Sequence, residues 1–314
     1  MSNKLFSHET VLLHEAVQAL AIDPAGIYID GTFGRGGHSR EILRQLNTSG
    51  RLIAYDKDPE AVMAAQDIAN TDNRFSIMHD SFCMLKQTLA DLNITQGVNG
   101  ILLDLGVSSP QLDDADRGFS FSTNGMLDMR MDTSRGESAR EWLSHIEEQA
   151  LSDIIKKYGE ERFHRRIANA IVEYRKESTI EDTATLAKII AAATPFRDKH
   201  KHPATRTFQA IRIAINRELE DLEEFLSEVP NLIIGGGRLV TIAFHSLEDR
   251  PIKNYVREQH RGIPNDLPMD FPVQPEVFKA CLKPIGKPVR ASEEEIRVNP
   301  RSRSAIMRIT ERVK

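Results

Sequence analysis

The amino-acid sequence predicts an α/β protein with a doubly wound, mostly parallel sheet and an inserted all-helical domain. Between residues 27 and 106, four short apolar segments alternate with amphipathic segments of helical length. This alternation is typical of strands joined by crossover helices, which give a parallel sheet covered on both faces. Helical patterns then continue without any strand signal until Leu232, which indicates a separate helical insert.

The first predicted strand leads into a glycine-rich turn. Ile27–Ile29 is apolar and β-prone, and four glycines lie within Gly31–Gly37, directly after Asp30. Glycine allows positive φ and lets a ligand approach the backbone closely. We expect Ser39 to cap the next helix, Arg40–Leu46, whose N-terminal N–H groups attract anions. The stretch is a candidate nucleotide-cofactor turn, with a purely structural glycine turn as the alternative.

The spacing of the glycines bears on which cofactor binds. The dinucleotide fingerprint is G-x-G-x-x-G, whereas this chain has Gly31-x-x-Gly34-x-Gly36-Gly37. A second strand, Arg51–Tyr55, ends in Asp56, and an acid at this place can accept hydrogen bonds from both ribose hydroxyls. Nicotinamide and adenosyl cofactors both use such an acid. The acid ahead of the glycines, together with the non-dinucleotide spacing, favours S-adenosyl-L-methionine (AdoMet).

Two more strands complete the repeated pattern, at Phe75–Met78 and Ile101–Gly106. Ligands of doubly wound sheets bind beyond the carboxyl ends of the strands. The side chains expected at those ends are Asp30, Asp56, Phe82 and Asp104. The sequence therefore predicts that these four residues share one site.

The remainder of the chain begins with a long acidic loop from residue 113. The predicted insert helices are Ala139–His145, Ala150–Tyr158, Arg162–Arg175 and Asp182–Ala193. An apolar stripe predicts one long helix from Thr205 to about Leu226, followed by strands at Arg238–Phe244 and Ala305–Thr310. We place the sheet domain at residues 1–112 and 205–314, and the inserted substrate-recognition domain at 113–204.

Composition indicates an ordinary soluble globular protein of 314 residues, with 40% hydrophobic and 28% charged residues. Cys83 and Cys281 give neither a disulfide framework nor metal-ligand spacing, so we expect a reducing, cytoplasmic setting and no metal site. No apolar run approaches the roughly 18 residues of a membrane span, and no signal peptide is evident, so no membrane partner is expected.

The charge of the chain is unevenly distributed. The net charge is −5, but residues 155–217 contain 14 Lys and Arg against 7 Asp and Glu, so this segment carries +7 and the remainder −12. A local excess of positive charge can hold phosphates although the whole chain is acidic. Solvated helix faces are the competing interpretation.

A short polar segment, Asp104–Gln111, follows the fourth strand. Enzymes that methylate exocyclic amino groups carry an Asp/Asn/Ser-Pro-Pro-aromatic motif at this place in the fold. The conjugated amino nitrogen is a poor nucleophile, and a short acceptor side chain can draw its lone pair out of the ring plane. Ser109-Pro110 supplies half of the motif, but Gln111 stands where an aromatic residue is usual. A plain turn would also favour Ser-Ser-Pro.

Taken together, the chain closely resembles the bacterial small-subunit ribosomal RNA cytosine-N4 methyltransferases, the RsmH (MraW) family. The matching stretches are His8–Ala16, Tyr28–Ser39, Asp104–Asp113, Arg117–Phe121, Leu127–Asp132, Tyr158–Glu161, His202–Gln209, Phe244–Arg250 and Asn299–Arg301. The resemblance implies a class I AdoMet-dependent fold with an inserted helical domain. It also implies methylation of the N4 amino group of cytosine 1402 of 16S rRNA, in the decoding centre of the assembled small (30S) subunit.

The resemblance also implies roles for individual residues. The implied AdoMet contacts are Gly36, Gly37, His38, Asp56, Phe82, Asp104 and Gln111. Ser109 is the candidate for orienting the target amine, with Asp104 as a second catalytic candidate. The candidate substrate contacts are Phe119, Arg162, Arg165, Arg166, His202, Arg206 and His245. Among these, the arginines and His202 are expected at phosphates, since affinity for RNA rests largely on basic side chains. Phe119 and Phe121 are expected to stack the flipped base.

Two other classes of protein compete with an RNA methyltransferase. A nicotinamide oxidoreductase is disfavoured by the glycine spacing and by the Ser-Pro turn. A non-catalytic ribosome-assembly factor would use the basic helical insert to bind RNA. The sequence allows a homodimer but does not determine the oligomeric state.

Overall fold

The computed structural model describes residues 10–195, 202–262 and 279–313 and divides the chain into two compact units. The strands are β1 (Ile27–Asp30), β2 (Arg51–Asp56), β3 (Phe75–His79), β4 (Val98–Asp104), β5 (Ile233–Ala243), β6 (Leu282–Pro284), β7 (Val289–Arg290) and β8 (Ile306–Arg312). The helices are α1 (Leu13–Ala19), α2 (Gly37–Gln45), α3 (Pro59–Ala69), α4 (Leu85–Asp91), α5 (Ser109–Asp113), α6 (Ala139–His145), α7 (Glu148–Gly159), α8 (His164–Glu177), α9 (Thr183–Ala193), α10 (Thr205–Asn216), α11 (Glu218–Leu232), α12 (Ser246–Arg261) and α13 (Glu293–Val298).

The first unit, residues 1–106 and 219–314, contains one eight-stranded sheet. Its strand order is β3-β2-β1-β4-β5-β8-β6, with β7 beside β8. The strands β1 to β5 pair in parallel, and β8 runs antiparallel to β5. The predicted doubly wound, mostly parallel sheet is confirmed.

The central strand β4 shows why this sheet is buried on both faces. Ile101, Leu102 and Leu103 are all fully buried, and alternate side chains of a strand point to opposite faces. Leu102 belongs to the apolar layer that includes Phe33 and Ile42, whereas Ile101 and Leu103 belong to the opposite layer. The continuous apolar run is thus explained by two helical layers, one on each face.

The second unit, residues 107–218, is helical. Its core brings together apolar side chains of α6 to α10, among them Leu143, Ile155, Ile171, Ile190 and Phe208. Within this core α7 packs against α8 and α10, and α8 packs against α9. An isolated bridge between Met126 and Asp182 anchors the long loop to the start of α9.

The boundaries of the two units differ from those predicted. The structure divides the chain after Gly106 and after Glu218, instead of after residues 112 and 204. The second boundary lies after Glu218, and not after residue 204, because α10 packs on α7 in the helical core. The apolar stripe of α10 therefore belongs to the insert. The single long helix predicted from Thr205 is also wrong, because Arg217 adopts a left-handed conformation (φ 52°) that ends α10 before α11 begins.

Smaller differences concern element ends. The helix after the glycine turn begins at Gly37, three residues earlier than predicted, so Ser39 lies inside it and does not cap it. Strand β5 begins at Ile233 and includes the glycines 235–237, where its pairing with β4 shifts register. Within the described ranges no helix is both long and apolar enough to cross a membrane.

Asn216 gives a test of the helical unit. Its buried side chain donates to the carbonyl oxygen of Met129 at 2.7 Å and accepts from the N–H of Met131 at 2.6 Å. Removal of these bonds leaves buried backbone groups without partners, so Asn216→Ala is expected to lower the free energy of unfolding by about 2–3 kcal/mol. Urea unfolding followed by the fluorescence of Trp142, the only tryptophan of the chain, reports on this unit. The matched control is the exposed Asn169→Ala, and equal losses in both variants would contradict the assignment.

Candidate functional site

Three acidic residues end three neighbouring strands of the sheet. Asp30 ends β1 and pairs in register with Ala54 of β2 and Leu102 of β4. Asp56 and Asp104 end β2 and β4. Parallel strands put their carboxyl ends at the same edge, so the three carboxylates lie side by side. The predicted convergence of these strand ends is found in the structure.

The glycine turn closes tightly against this edge. The N–H of Gly31 donates to the carbonyl oxygen of Leu102 at 2.9 Å, and a Cβ at position 31 would lie 2.3 Å from Leu103 Cδ2. Gly36 immediately precedes α2 and has φ 75°, a left-handed backbone conformation that residues with a Cβ rarely adopt. The two glycines therefore allow the chain to turn from β1 into α2 within a few residues of the carboxylates.

The acidic side chains themselves hold the turn in place. Asp56 accepts hydrogen bonds from the N–H groups of Gly34 (2.7 Å) and Asp58 (2.9 Å). Asp30 accepts from the hydroxyl of Ser39 at 2.6 Å, which is the actual role of the serine predicted as a helix cap. The N–H of Asp104 donates to the hydroxyl of Thr32 at 2.7 Å, which ties β4 to the turn.

Burial of these acids raises their pKa values. Desolvation raises the pKa of both Asp30 and Asp56 to about 6, although hydrogen bonds from Ser39 and Thr32 and from Asp58 and Gly34 oppose the shift. The pKa of Asp104 lies well above its ordinary value, first because of desolvation and then because of the charges of Asp30 and Glu248. The edge of the sheet therefore holds three buried carboxyl groups whose ionised forms are destabilised by burial.

This arrangement fits a cationic ligand. Asp104 Oδ1 is buried and has no hydrogen-bond partner among the described residues. Buried carboxylate oxygens are normally satisfied, and an unsatisfied one costs free energy until a donor arrives. The ammonium group of a methionine moiety is such a donor, and its charge would offset that of the neighbouring carboxylates. The cluster accordingly fits AdoMet, which carries both an ammonium and a sulfonium.

Other predicted cofactor contacts occupy different positions. Phe82 begins the turn after β3 and is 8% exposed, with its ring edge-on to Phe225 at 5.3 Å. It lies beside the glycine turn, since a Cβ at Gly31 would be 3.1 Å from Phe82 Cβ. His38 is buried in the first turn of α2. The cofactor roles of Phe82 and His38 stay predictions.

The sequence reasoning missed Glu248. This residue is 3% exposed and accepts from the N–H of Phe244 at 2.8 Å, while His245 Nε2 lies 2.8 Å from its Oε1. The two side chains form a capping box at the start of α12, immediately after β5. The spacing His-x-x-Glu was the available signal. It was overlooked because histidine is not a usual capping residue.

His245 was predicted to contact the base, and the structure places it at the end of β5, with its ring directed to Glu248. A contact with substrate stays a prediction. The more direct function of the ring in this structure is to fix the β5–α12 turn.

The Ser-Ser-Pro segment begins a helix of the second unit. Ser108 caps α5, because its hydroxyl accepts from the N–H of Gln111 while Gln111 Oε1 accepts from the N–H of Ser108 at 2.9 Å. Ser109 is the first residue of this helix, and its hydroxyl has no hydrogen-bond partner within the part of the chain that the structure describes. The carboxamide oxygen of Gln111 is thus engaged in the cap, and its predicted contact with AdoMet stays a prediction.

The predicted substrate contacts of the helical unit divide into two groups. Phe119 is 7% exposed in the helical core, with the guanidinium of Arg117 near its ring, so a base cannot stack on it without displacing core packing. Phe121 is half-buried and packs against the ring of His202. The predicted arginines are exposed, and among described residues none of them pairs with a carboxylate: Arg162, Arg165, Arg166 and Arg206.

A mostly parallel doubly wound sheet with a glycine turn after β1 and an acid at the end of β2 is the fold of the class I AdoMet-dependent methyltransferases, although nicotinamide-binding enzymes share the turn and the acid. The chain belongs to the MraW methylase family, whose profile matches residues 5–313. AdoMet is therefore the cofactor, and the nicotinamide alternative is wrong.

Three solved bacterial proteins match nearly the whole chain at low sequence identity. A Clostridium thermocellum protein assigned as an rRNA methylase has 9% identity and a TM-score of 0.44, and the match covers 97% of this chain and 99% of that one. An rRNA methylase from Streptococcus thermophilus has 10% identity and a TM-score of 0.43, covering 97% and 98%. A Streptococcus mutans protein assigned as a methyltransferase, in complex with SAH, has 10% identity and a TM-score of 0.42, covering 97% and 99%. Matches at this level of identity and TM-score do not identify the substrate of this protein.

The partnerless carboxylate of Asp104 gives a test of the cofactor site. Desolvation and the nearby charges of Asp30 and Glu248 oppose the ionised form of Asp104, so the isosteric and uncharged Asp104→Asn is expected to raise the free energy of unfolding of the cofactor-free protein. The same change removes the acceptor for the ammonium group, so the AdoMet Kd is expected to rise at least about tenfold. Thermal unfolding and calorimetric titration measure the two effects. Asp67→Asn, at an exposed position of α3, is the control, and a less stable Asp104→Asn variant with unchanged Kd would refute the role.

The pKa of Asp56 predicts a pH dependence of cofactor binding. Its carboxylate is ionised above about pH 6 and protonated below. Protonation removes acceptor capacity, so AdoMet affinity should be constant above pH 7 and fall about tenfold for each pH unit well below 6. The stability of the cofactor-free protein has the opposite sign: it falls as pH rises from about 4 through 6, because the folded state binds the proton more tightly. Asp30 titrates in the same range. In the Asp56→Asn variant the AdoMet affinity should therefore depend less steeply on pH, although some dependence should remain because Asp30 still titrates. A slope equal to that of the parent would count against Asp56.

Proposed function

We propose that this protein transfers the methyl group of AdoMet to the N4 amino group of cytosine 1402 in 16S rRNA, within the small ribosomal subunit. The observation that carries the proposal is the buried carboxylate cluster at the ends of β1, β2 and β4, in which Asp104 Oδ1 has no hydrogen-bond partner among the described residues. Membership of the MraW methylase family supports methyl transfer. The RNA substrate and the target atom rest on the sequence resemblance and on the positive charge of the helical unit.

In this proposal the sheet unit binds the cofactor. AdoMet supplies an electrophilic methyl group on its sulfonium. The carboxylate of Asp56 accepts hydrogen bonds from the ribose, while Gly36 and Gly37 leave room for the carboxypropyl end. Asp104 accepts from the ammonium group, and Phe82 packs on adenine. The contacts of His38 and Gln111 complete the proposed set.

Ser109 is proposed to orient the target amine. The amino nitrogen of cytosine is conjugated with its ring, so a hydrogen bond from its N–H to the serine hydroxyl favours the pyramidal geometry that attack requires. Two facts support this role: the Ser109 hydroxyl has no partner among described residues, and the Ser108–Gln111 capping box fixes the start of its helix. The methylated amine can lose its proton to water, so no strong general base is needed.

The helical unit is proposed to bind RNA. Among the described residues of this unit, Arg162, Arg165, Arg166 and Arg206 are exposed and form no ion pair, so they are suited to phosphate contacts. The same observation favours a second candidate function, a non-catalytic RNA-binding assembly factor. The two candidates differ in whether a methyl group is transferred.

Tritiated AdoMet distinguishes these functions. With the purified protein, label is expected in rRNA when small subunits are the substrate, and nucleoside analysis is expected to give N4-methylcytidine. Subunit binding without label would support the assembly factor instead, and label in DNA would contradict the RNA substrate.

Ser109→Ala tests the proposed orienting role. The variant is expected to lower kcat about 10- to 100-fold with unchanged AdoMet affinity, because the lost hydrogen bond strengthens only as the amine becomes nucleophilic. Ser178→Ala, exposed at the end of α8, is the control. Methylation by Ser109→Ala at the parent rate would remove Ser109 from the proposal.

A further inference from the structure

Three aromatic rings of the helical unit form a column that runs from its core to its surface. Phe208, on α10, is 4% exposed. Phe121 packs edge-on against it, with ring centroids 4.8 Å apart and an interplanar angle of 73°. His202 lies on Phe121 at 4.7 Å and 34°, and His202 is exposed. The outermost ring of the column is therefore exposed to solvent and supported by the half-buried Phe121 and the buried Phe208.

The ring of His202 is fixed by the backbone that follows it. The N–H of Ala204 donates to His202 Nδ1 at 3.2 Å, and the N–H of Thr205 donates to the carbonyl oxygen of His202 at 3.0 Å. A ring that accepts at Nδ1 carries its proton on Nε2. The orientation of His202 is thus set before any ligand binds, which lowers the entropy that stacking on it would cost.

Positive charge lies next to this column. Arg206, four residues after His202 and exposed, donates to the carbonyl oxygen of Glu160 at 3.2 Å. This bond joins the start of α10 to the turn between α7 and α8, which carries Arg162. Gly159 permits the approach, because a Cβ there would lie 2.7 Å from the carbonyl oxygen of Arg206. The end of α7 carries Lys157, whose ammonium lies 4.8 Å from the centre of the Tyr158 ring.

An exposed flat ring near Arg162 and Arg206, neither of which pairs with a carboxylate among the described residues, matches the chemistry of single-stranded RNA. Unpaired bases stack on aromatic side chains, including histidine, while neighbouring phosphates bind Arg and Lys. A phosphate contact by His202 alone would not explain why two further aromatic rings support it. A protein partner would bury a broad patch with an apolar centre, whereas here one ring is exposed among charged side chains.

We infer that the exposed ring of His202, supported by Phe121 and Phe208, stacks an unpaired base of the RNA substrate while Arg206 contacts an adjacent phosphate. The inference rests on the proposed RNA function and replaces the phosphate contact expected for His202 from the sequence. It also transfers the stacking role from Phe119, which is buried, to the Phe121–His202 pair.

A fluorescent RNA tests this inference directly. The probe is a short single-stranded RNA that contains the 2-aminopurine base, whose fluorescence is quenched when it stacks. With the full-length protein, quenching and tight binding are expected. His202→Ala should raise the Kd about tenfold and abolish the quenching, whereas His202→Phe, which keeps a flat ring, should stay within about threefold of the parent and keep the quenching. His145→Ala, at an exposed histidine of α6, is the matched control and should bind as the parent does.

Two variants separate stacking from charge. His202→Lys should bind weakly and without quenching, and Arg206→Gln should weaken binding and reduce its salt dependence while quenching is retained at saturation. Strong binding by His202→Lys together with weak binding by His202→Phe would establish a phosphate contact and overturn the inference. Parent-like RNA binding and quenching by His202→Ala would overturn the inference as well. It would also be overturned if His202→Phe bound RNA as weakly as His202→Ala while its melting temperature equalled that of the parent.

Failure of this inference and failure of the proposed function are distinguishable. The fluorescence readout does not depend on methyl transfer. A parent protein that labels no RNA would refute the methyltransferase proposal, whereas unchanged quenching in His202→Ala would refute only the stacking role.

Discussion

The burial of three neighbouring carboxylates at one edge of the sheet is the constraint on which the rest of the site depends. Asp30 and Asp56 remain compatible with burial because backbone N–H groups and the Ser39 hydroxyl donate to them. These same bonds fix the glycine turn and the start of α2. Asp104 has no such compensation at Oδ1. The fold therefore carries an electrostatic cost at the position where a cationic cofactor would offset it, as is common at functional sites.

Rigid caps surround this edge. Glu248 holds the turn after β5 through the N–H of Phe244 and the ring of His245, and Thr32 joins the turn after β1 to the end of β4. Each bond links a strand end to the loop that follows it or to a neighbouring strand. A site built in this way is held in place before any ligand binds, which reduces the reorganisation that catalysis would otherwise require. Glu248 also adds to the negative charge near Asp104, so positioning and electrostatics are coupled.

The helical unit uses a different principle. Among the described residues, Arg162, Arg165, Arg166 and Arg206 lie on the surface of this unit without carboxylate partners, and one aromatic column extends from its apolar core to His202. Charge gives affinity for a phosphate backbone, whereas a fixed ring can select an unpaired base. Both features are absent from a simple solvated helix face, in which charges of opposite sign are interspersed.

The sequence by itself determined the alternation of β1 to β4 with helices, the parallel character of the sheet and the residues at its strand ends, because hydrophobic periodicity and glycine spacing are local signals. It did not indicate the short strands β6 and β7. It also identified the family from motifs spread over nearly the whole chain. Only the tertiary structure decided that Asp104 lacks a partner, that Glu248 of a distant segment reaches the same edge, and that Phe119 is buried while His202 is exposed. The left-handed Arg217 that separates α10 from α11 was likewise hidden, since apolar residues continue at helical spacing through it. Each of these features depends on contacts between segments far apart in the chain, and no local pattern encodes which side chains will meet.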